Sequence, residues 1–168
     1  MSADKNSNVL IRYTEPNDAK YLKEWLLDPS TLRWFPMADE IEVEDSVSRW
    51  ISFCRYRCSL TATIDGIPCG LATLYLQPYR NLAHQCEMGI IVSKDFRGHR
   101  IGELLMERIM DLAKNGFRIE ILHLQVYGEN PAIRLYKKFG FREFGRQTRW
   151  LKNEEGVYST RVFMERIL

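Results

Sequence analysis

A chain of 168 residues with 24 Lys plus Arg against 22 Asp plus Glu, a formal net charge of +2, is long enough for one sheet-centred core and too evenly charged for a dedicated nucleic-acid surface. Its 45% hydrophobic content, with no excess of Gly, Pro or Cys, excludes fibrous, disordered and disulfide-framework classes. No apolar run reaches the roughly 20 residues that span a bilayer, and Met1-Ser2-Ala3-Asp4-Lys5-Asn6 lacks an apolar signal core, so the expectation is a single cytoplasmic domain over 1-168 with no membrane partner.

Val9-Leu10-Ile11-Arg12-Tyr13 is a short β-prone run. Asn17 or Asp18 then caps a helix that Pro29 is expected to stop. Trp34, Phe35, Pro36 and Met37 are apolar but irregular. From Val43, the positions Val47, Trp50, Ile51, Cys54 and Cys58 recur at helical spacing and predict an amphipathic helix to about Arg57. Leu60 to Ile64, the Asp65-Gly66 turn and Ile67 to Leu76 form a hairpin, and Cys86 to Val92 adds a third strand to an antiparallel meander.

Ile101, Leu104, Leu105, Ile109, Leu112 and Ala113 then share one helical face, closed at Asn115-Gly116. Ile119 to Val126 reads as a strand. Asn130-Pro131 caps a short helix that ends at Phe139-Gly140, and Phe141 to Leu151 and Val157 to Ile167 are two strands joined by the turn at Lys152 to Gly156. Cys54, Cys58, Cys69 and Cys86 have no paired Cys-x-x-Cys spacing and sit among core-like residues, which predicts reduced, buried thiols and no metal site.

The loop Arg97-Gly98-His99-Arg100-Ile101-Gly102 leads from a strand straight into a helix. Unpaired backbone N-H groups and the helix dipole converge at such a place and suit a phosphate, while glycines remove bulk and arginines add charge. Read alone, the loop is equally an exposed turn with solvated arginines. It has neither the Gly-Lys-Ser/Thr ending of a Walker motif nor a Gly-x-Gly-x-x-Gly.

The loop resembles the signature of the GNAT superfamily of acetyl-CoA-dependent N-acetyltransferases: Arg or Gln, two residues, Gly, one residue, then Gly or Ala. Arg97 and Gly102 match its ends, and Arg100 stands in place of the middle glycine, in what is expected to be the first helical turn. About thirty residues on, Asn130 to Phe141 resembles the family's segment in which an asparagine precedes an alanine, a tyrosine and a closing Gly-Phe. The order of predicted elements follows the family along nearly the whole chain. The N-terminal Ile11-Arg12, Trp25, Asp28-Pro29 and the ending Val157-Tyr158 to Met164-Glu165-Arg166 look like the branch of ribosomal-protein N-terminal and aminoglycoside acetyltransferases.

The resemblance implies an α/β (α+β) fold: a mostly antiparallel mixed sheet of about seven strands, with splayed strands 4 and 5, flanked by about four helices. It implies acetyl-CoA as cosubstrate, bound by the main chain of Ile90 and Val92, by the loop of Arg97, Gly98, His99, Arg100, Ile101 and Gly102, and by Asn130 near the thioester. Tyr136 would protonate the departing thiolate, and Glu87, with His84 as a substitute, would take the proton of the amine. Each has a plainer role as well: Asn130 as helix cap, Tyr136 as core, Glu87 as one charge on an alternating strand. The partner implied is an amine-bearing acceptor, a small molecule or a protein amine, whose wall is expected from Leu32 to Ile41 and Gln77 to Ala83; monomer and homodimer both stay open. Two rivals are a non-catalytic acyl-CoA-binding module and a nucleic-acid binder using Arg97, Arg100, Arg142, Arg146 and Arg149, the latter disfavoured by the balanced charge.

Overall fold

The computed structural model describes residues 9–168; Met1 to Asn6, on which the signal-core expectation rests, lies outside the described residues. Strand β1 (Val9–Tyr13) leads through a short turn into helix α1 (Ala19–Leu27), and a one-turn helix α2 (Pro29–Leu32) follows at once. As expected, α1 stops just before Pro29, with Asp28 held extended (ψ 124°) as the residue before a proline is; the proline then also begins the next helix. It occupies the first turn of α2, where its missing N-H is no loss, and Asp28 caps that turn by accepting from the Ser30 N-H at 2.9 Å.

Helix α3 (Glu40–Ser52) buries Val43, Val47 and Trp50, and Asp39 caps it by accepting from the Glu42 N-H at 2.9 Å. It stops five residues short of the predicted end. A 3-10 turn at Phe53–Tyr56 and a left-handed Arg57 (φ 55°) redirect the chain, so Cys58 belongs to the sheet core.

Strands β2 (Ser59–Ile64) and β3 (Ile67–Tyr75) form the predicted hairpin, with Asp65 and Gly66 at φ 50° and 79° as a primed two-residue turn requires. Then come β4 (Gln85–Val92), α4 (Ile101–Asp111), β5 (Ile121–Tyr127), α5 (Ala132–Lys138), β6 (Arg142–Lys152) and β7 (Tyr158–Ile167). A wider π turn over Leu112–Gly116 ends α4, and the left-handed residue is Arg118 (φ 55°), not Gly116; Gly140 does take the left-handed closing role (φ 83°). Among the described residues, five helices, counting α2, therefore flank the sheet.

The seven strands lie in the order β1-β2-β3-β4-β5-β7-β6. All neighbours are antiparallel except β4 and β5. Alternation along the strands feeds two cores. Ile101, Leu105, Met106 and Ile109 of α4 meet Leu122 and Met164 on one face. Leu22, Trp25, Leu26, Val43, Val47 and Trp50 of α1 and α3 meet Leu71 and Ile91 on the other. The edge strand β6 is largely exposed and its register against β7 shifts twice, between Glu143 and Gly145 and between Gln147 and Leu151.

A polar knot fixes β1 to the hairpin. The Arg12 guanidinium donates to both Asp18 oxygens at 2.8 Å, the Glu15 N-H donates at 3.0 Å and the Thr61 hydroxyl at 2.9 Å. Burial alone would push the Asp18 carboxyl up, but these donors hold it below the usual range.

The four cysteines are free thiols. Cys58, Cys69 and Cys86 are buried, with burial pushing their thiols to about 11, 11 and 12, whereas Cys54 is only half-buried. No helix among the described residues is long and apolar enough to cross a membrane.

Candidate active site

The sheet opens at its one parallel pairing. β4 and β5 are paired only from Gln85↔Ile121 to Glu87↔His123, while β4 continues along β3 as far as Gly70↔Val92. From Met88 to Val92, β4 thus has main-chain groups with no strand on the β5 side, a row of donors and acceptors open to an extended ligand. Into this gap opens a cleft of about 1400 Å³ that runs from Arg97, Gly98 and Gly102 at one end, past Ile90, Val92 and Tyr136, to Arg49, Glu87 and Trp150 at the other. Gly89 lets α3 close over the strand here, since a Cβ on it would stand 2.9 Å from the Trp50 ring.

At the first end, the loop is anchored to α2. Lys94 pairs with Asp28, whose carboxyl is held down to about 2 by that ammonium and by Ser30, and Arg97 donates to the buried Thr31 hydroxyl at 2.7 Å. Gly98 has φ 78°, and nothing lies within 4 Å of where its Cβ would be, so the main chain there is bare. The first internal bond at the start of α4 runs from Leu104 N-H to Arg100 C=O at 3.1 Å. The N-H groups of Ile101, Gly102 and Glu103 are left at the positive end of an 11-residue helix without a side-chain cap.

The Ile101 side chain is buried in the core, so only its main chain faces the loop. Gly102 leaves room for Leu135 of α5, 3.3 Å from where a Cβ would stand. The His99 ring lies 3.1 Å from the Arg97 carbonyl. Arg100 departs from expectation: it stands before α4, not in its first turn, in a left-handed conformation with φ 62°. The chain must reverse from the 3-10 turn at Lys94–Phe96 into α4, and that turn is what a glycine would accommodate without strain. The Arg100 guanidinium extends back to Glu103, which also pairs with Lys138.

In the middle of the cleft, Asn130 accepts from the Ala132 N-H at 2.9 Å through Oδ1. The cap therefore uses the oxygen and leaves the amide N-H₂ free for another partner. Tyr136 is buried against Phe141 at the cleft wall, and burial pushes its phenol up to about 12.

At the far end Glu87 lies opposite Tyr75 of β3, accepts from the Gln125 amide at 3.2 Å, and is raised by burial, with Gln125 and Arg161 pulling the other way. Aromatic rings wall this end. Trp34 meets Tyr127 edge-on at 6.2 Å, Tyr127 meets Trp150 at 5.1 Å, and Tyr75 meets Trp50 at 6.0 Å.

The structure thus gathers Glu87, Ile90, Val92, Arg97, Gly98, Gly102, Asn130 and Tyr136 along one cleft. His84, the substitute base, sits one residue before β4, with its carbonyl accepting from Glu120 and Ile121 and its side chain outside the cleft lining. Of the two expected acceptor walls, Leu32 to Ile41 is present, but Gln77 to Ala83 is absent from the lining. β5 and Trp150 of β6 take that place. Sequence reasoning missed Thr31, Arg49, Gln125 and Trp150; they come from four separate elements and carry no local signature.

The sequence model of the Acetyltransferase (GNAT) family matches residues 19–141. The chain is 31% identical over 110 residues to the L-amino acid N-acetyltransferase AaaT of Escherichia coli (strain K12), covering 64% of this chain and 67% of that protein. Its fold is shared with yncA from Salmonella typhimurium, solved with its cofactor acetyl-CoA (TM-score 0.78, 18% identity, 97% and 95% of the two chains). It is shared also with a ribosomal-protein-alanine N-acetyltransferase from Brucella melitensis (TM-score 0.75, 22% identity, 95% and 99%).

Proposed function

The chain belongs to the GNAT acetyltransferase family and is an acyltransferase, and from that premise we propose that it moves the acetyl group of acetyl-CoA directly to a primary amine, both substrates lying in the one cleft. The observation that carries this reading is the continuity of the cleft, from the bare loop and the orphan N-H groups of α4, along the free edge of β4, to a carboxylate and a phenol. Acetyl-CoA supplies an activated acetyl thioester. The α4 N-H groups with Arg97 and Arg100 suit its pyrophosphate, and the main chain of Ile90 and Val92 suits its amide-bearing arm.

Glu87 accepts the proton of the acceptor amine. An alkyl ammonium near the lysine reference of about 10.4 must lose a proton before it attacks, and a carboxylate raised by burial is a stronger base for that task. Tyr136 aims a hydroxyl at the departing sulfur. A phenol pushed to about 12 is a weaker acid than a thiol near the reference 8.5, so it keeps its proton and stabilises the thiolate by donating a hydrogen bond. The name of the Escherichia coli relative supports an amine on a small molecule as acceptor.

The test is a panel of amines incubated with labelled acetyl-CoA and read by product mass, beside the shift in melting temperature that CoA produces. At least one amine should be acetylated, and Arg97→Ala with Gly102→Val should abolish the shift. A retained shift in the double variant would put the cosubstrate elsewhere. CoA binding with no acetylated amine would leave a binding module.

A further inference from the structure

Arg161 of β7 makes no ion pair among the described residues, although its half-buried guanidinium lies between two rings on the sheet's second face: its Cζ lies 4.9 Å from the centre of the Trp150 ring and 4.7 Å from that of Phe163. Its Nε is buried without a hydrogen-bond partner. A charge held this way normally ends on a carboxylate. Here it ends on two amides, with Nη1 donating to Gln125 Oε1 at 2.7 Å and Nη2 to Gln147 Oε1 at 2.8 Å. A guanidinium can only donate, so the oxygen of Gln125 must face it. The N-H₂ of that amide is thereby turned toward Glu87, 3.2 Å from Oε2.

We infer that Arg161 is a positioning residue for acetyl transfer, acting through Gln125 to hold the Glu87 carboxylate in place and keep it ready to receive the amine's proton. The inference rests on the reading of Glu87 as the base. Around Glu87 stand Tyr75 across β3, Arg49 of α3 tied to Asp45, His123 across β5, and Glu165 beyond His123. Among all of these and Gln125, the amide alone hydrogen-bonds the carboxylate. Burial pushes Glu87 up, and the Gln125 N-H and the charge of Arg161 pull it back. Their removal therefore raises it, so the carboxylate form is lost at a higher pH than in the parent.

The experiment is the pH profile of kcat/KM, on an amine that the panel identifies, for Arg161→Met, Gln125→Met and Glu87→Gln. Glu87→Gln should lower kcat roughly 10²-fold or more. Arg161→Met and Gln125→Met should move the midpoint of the acid limb to higher pH, with a loss that is greatest on the acid side and shrinks as pH rises. Arg161→Lys, which keeps a charge without the two-armed grip, should fall between. Gln125→Met leaves Arg161 stacked on its rings, so it decides the matter if Arg161→Met does not fold. A uniform fall with an unmoved midpoint in Gln125→Met would overturn the positioning role. An unaltered rate in Glu87→Gln would overturn the base assignment instead.

Discussion

Replacing Tyr136 by Phe deletes one oxygen and separates the chemistry from the fold. The ring is buried beside Phe141 at 6.2 Å, burial raises the phenol, and among the described residues no hydrogen bond reaches its hydroxyl. No internal bond is lost, so stability should change by less than about 1 kcal/mol. A hydrogen bond to a charged partner is worth about 1.5–3 kcal/mol, and at 1.36 kcal/mol per decade its loss at the departing thiolate lowers kcat roughly 10- to 200-fold. KM for acetyl-CoA should hold, the signature of an interaction made only in the transition state. Steady-state kinetics with chemistry shown to be rate-limiting would read this. An unchanged kcat refutes the role, and a fall matched by weaker CoA binding makes Tyr136 a binding residue. The phenol at about 12 adds a condition: a basic limb well below pH 11 should survive in the Phe variant, and its disappearance would show that Tyr136 titrates earlier than its burial dictates.

Asp18→Asn leaves the partly exposed Arg12 guanidinium without its counter-ion and should destabilise by about 1–3 kcal/mol in denaturant melts near neutral pH. Because the folded carboxyl lies below its unfolded value, its contribution is complete above about pH 4 and is lost as pH falls through the folded value, so the parent and variant curves should converge in acid; parallel curves would contradict this. Arg100→Gly relieves a left-handed residue (φ 62°) and gives up only an exposed pair with Glu103, so it should raise stability by about 0.5–1 kcal/mol and the melting temperature by about 1–4 °C. A fall in melting temperature would mean that the arginine is held by something stronger than that pair.

Periodicity made most of the fold legible. Apolar spacing identified α3 and α4, the Asp65-Gly66 dipeptide identified the β2-β3 turn, and Gly140 marked the end of α5. The departures fell where one residue serves two local purposes. Pro29 ends α1 as its position implies, and with the cap offered by Asp28 it also begins α2, which spacing alone does not show. Helical structure closes at Gly116 as the sequence implies, but through a wide turn at Leu112–Gly116 that puts the left-handed position at Arg118 rather than at the glycine. The site divides in the same way. The loop and the Asn130 to Phe141 segment are contiguous, so a resemblance could reveal them. The grip on Glu87 joins residues 38 and 36 positions apart, Gln125 to Glu87 and Arg161 to Gln125, and only strand register brings them together.

The exposed strand β6 ends the sheet with a row of unpaired main-chain groups, the kind of surface on which a stray β-strand can add and seed aggregates. Arg142, Glu143, Arg146, Arg149 and Lys152 are spaced along it, and its two register shifts break the flat template an incoming strand needs. Three of the arginines that look like a nucleic-acid stripe in one dimension, Arg142, Arg146 and Arg149, thus lie on an open edge, where charge disfavours an added strand. Neutral substitutions there should leave catalysis intact while lowering the concentration at which the protein stays in solution.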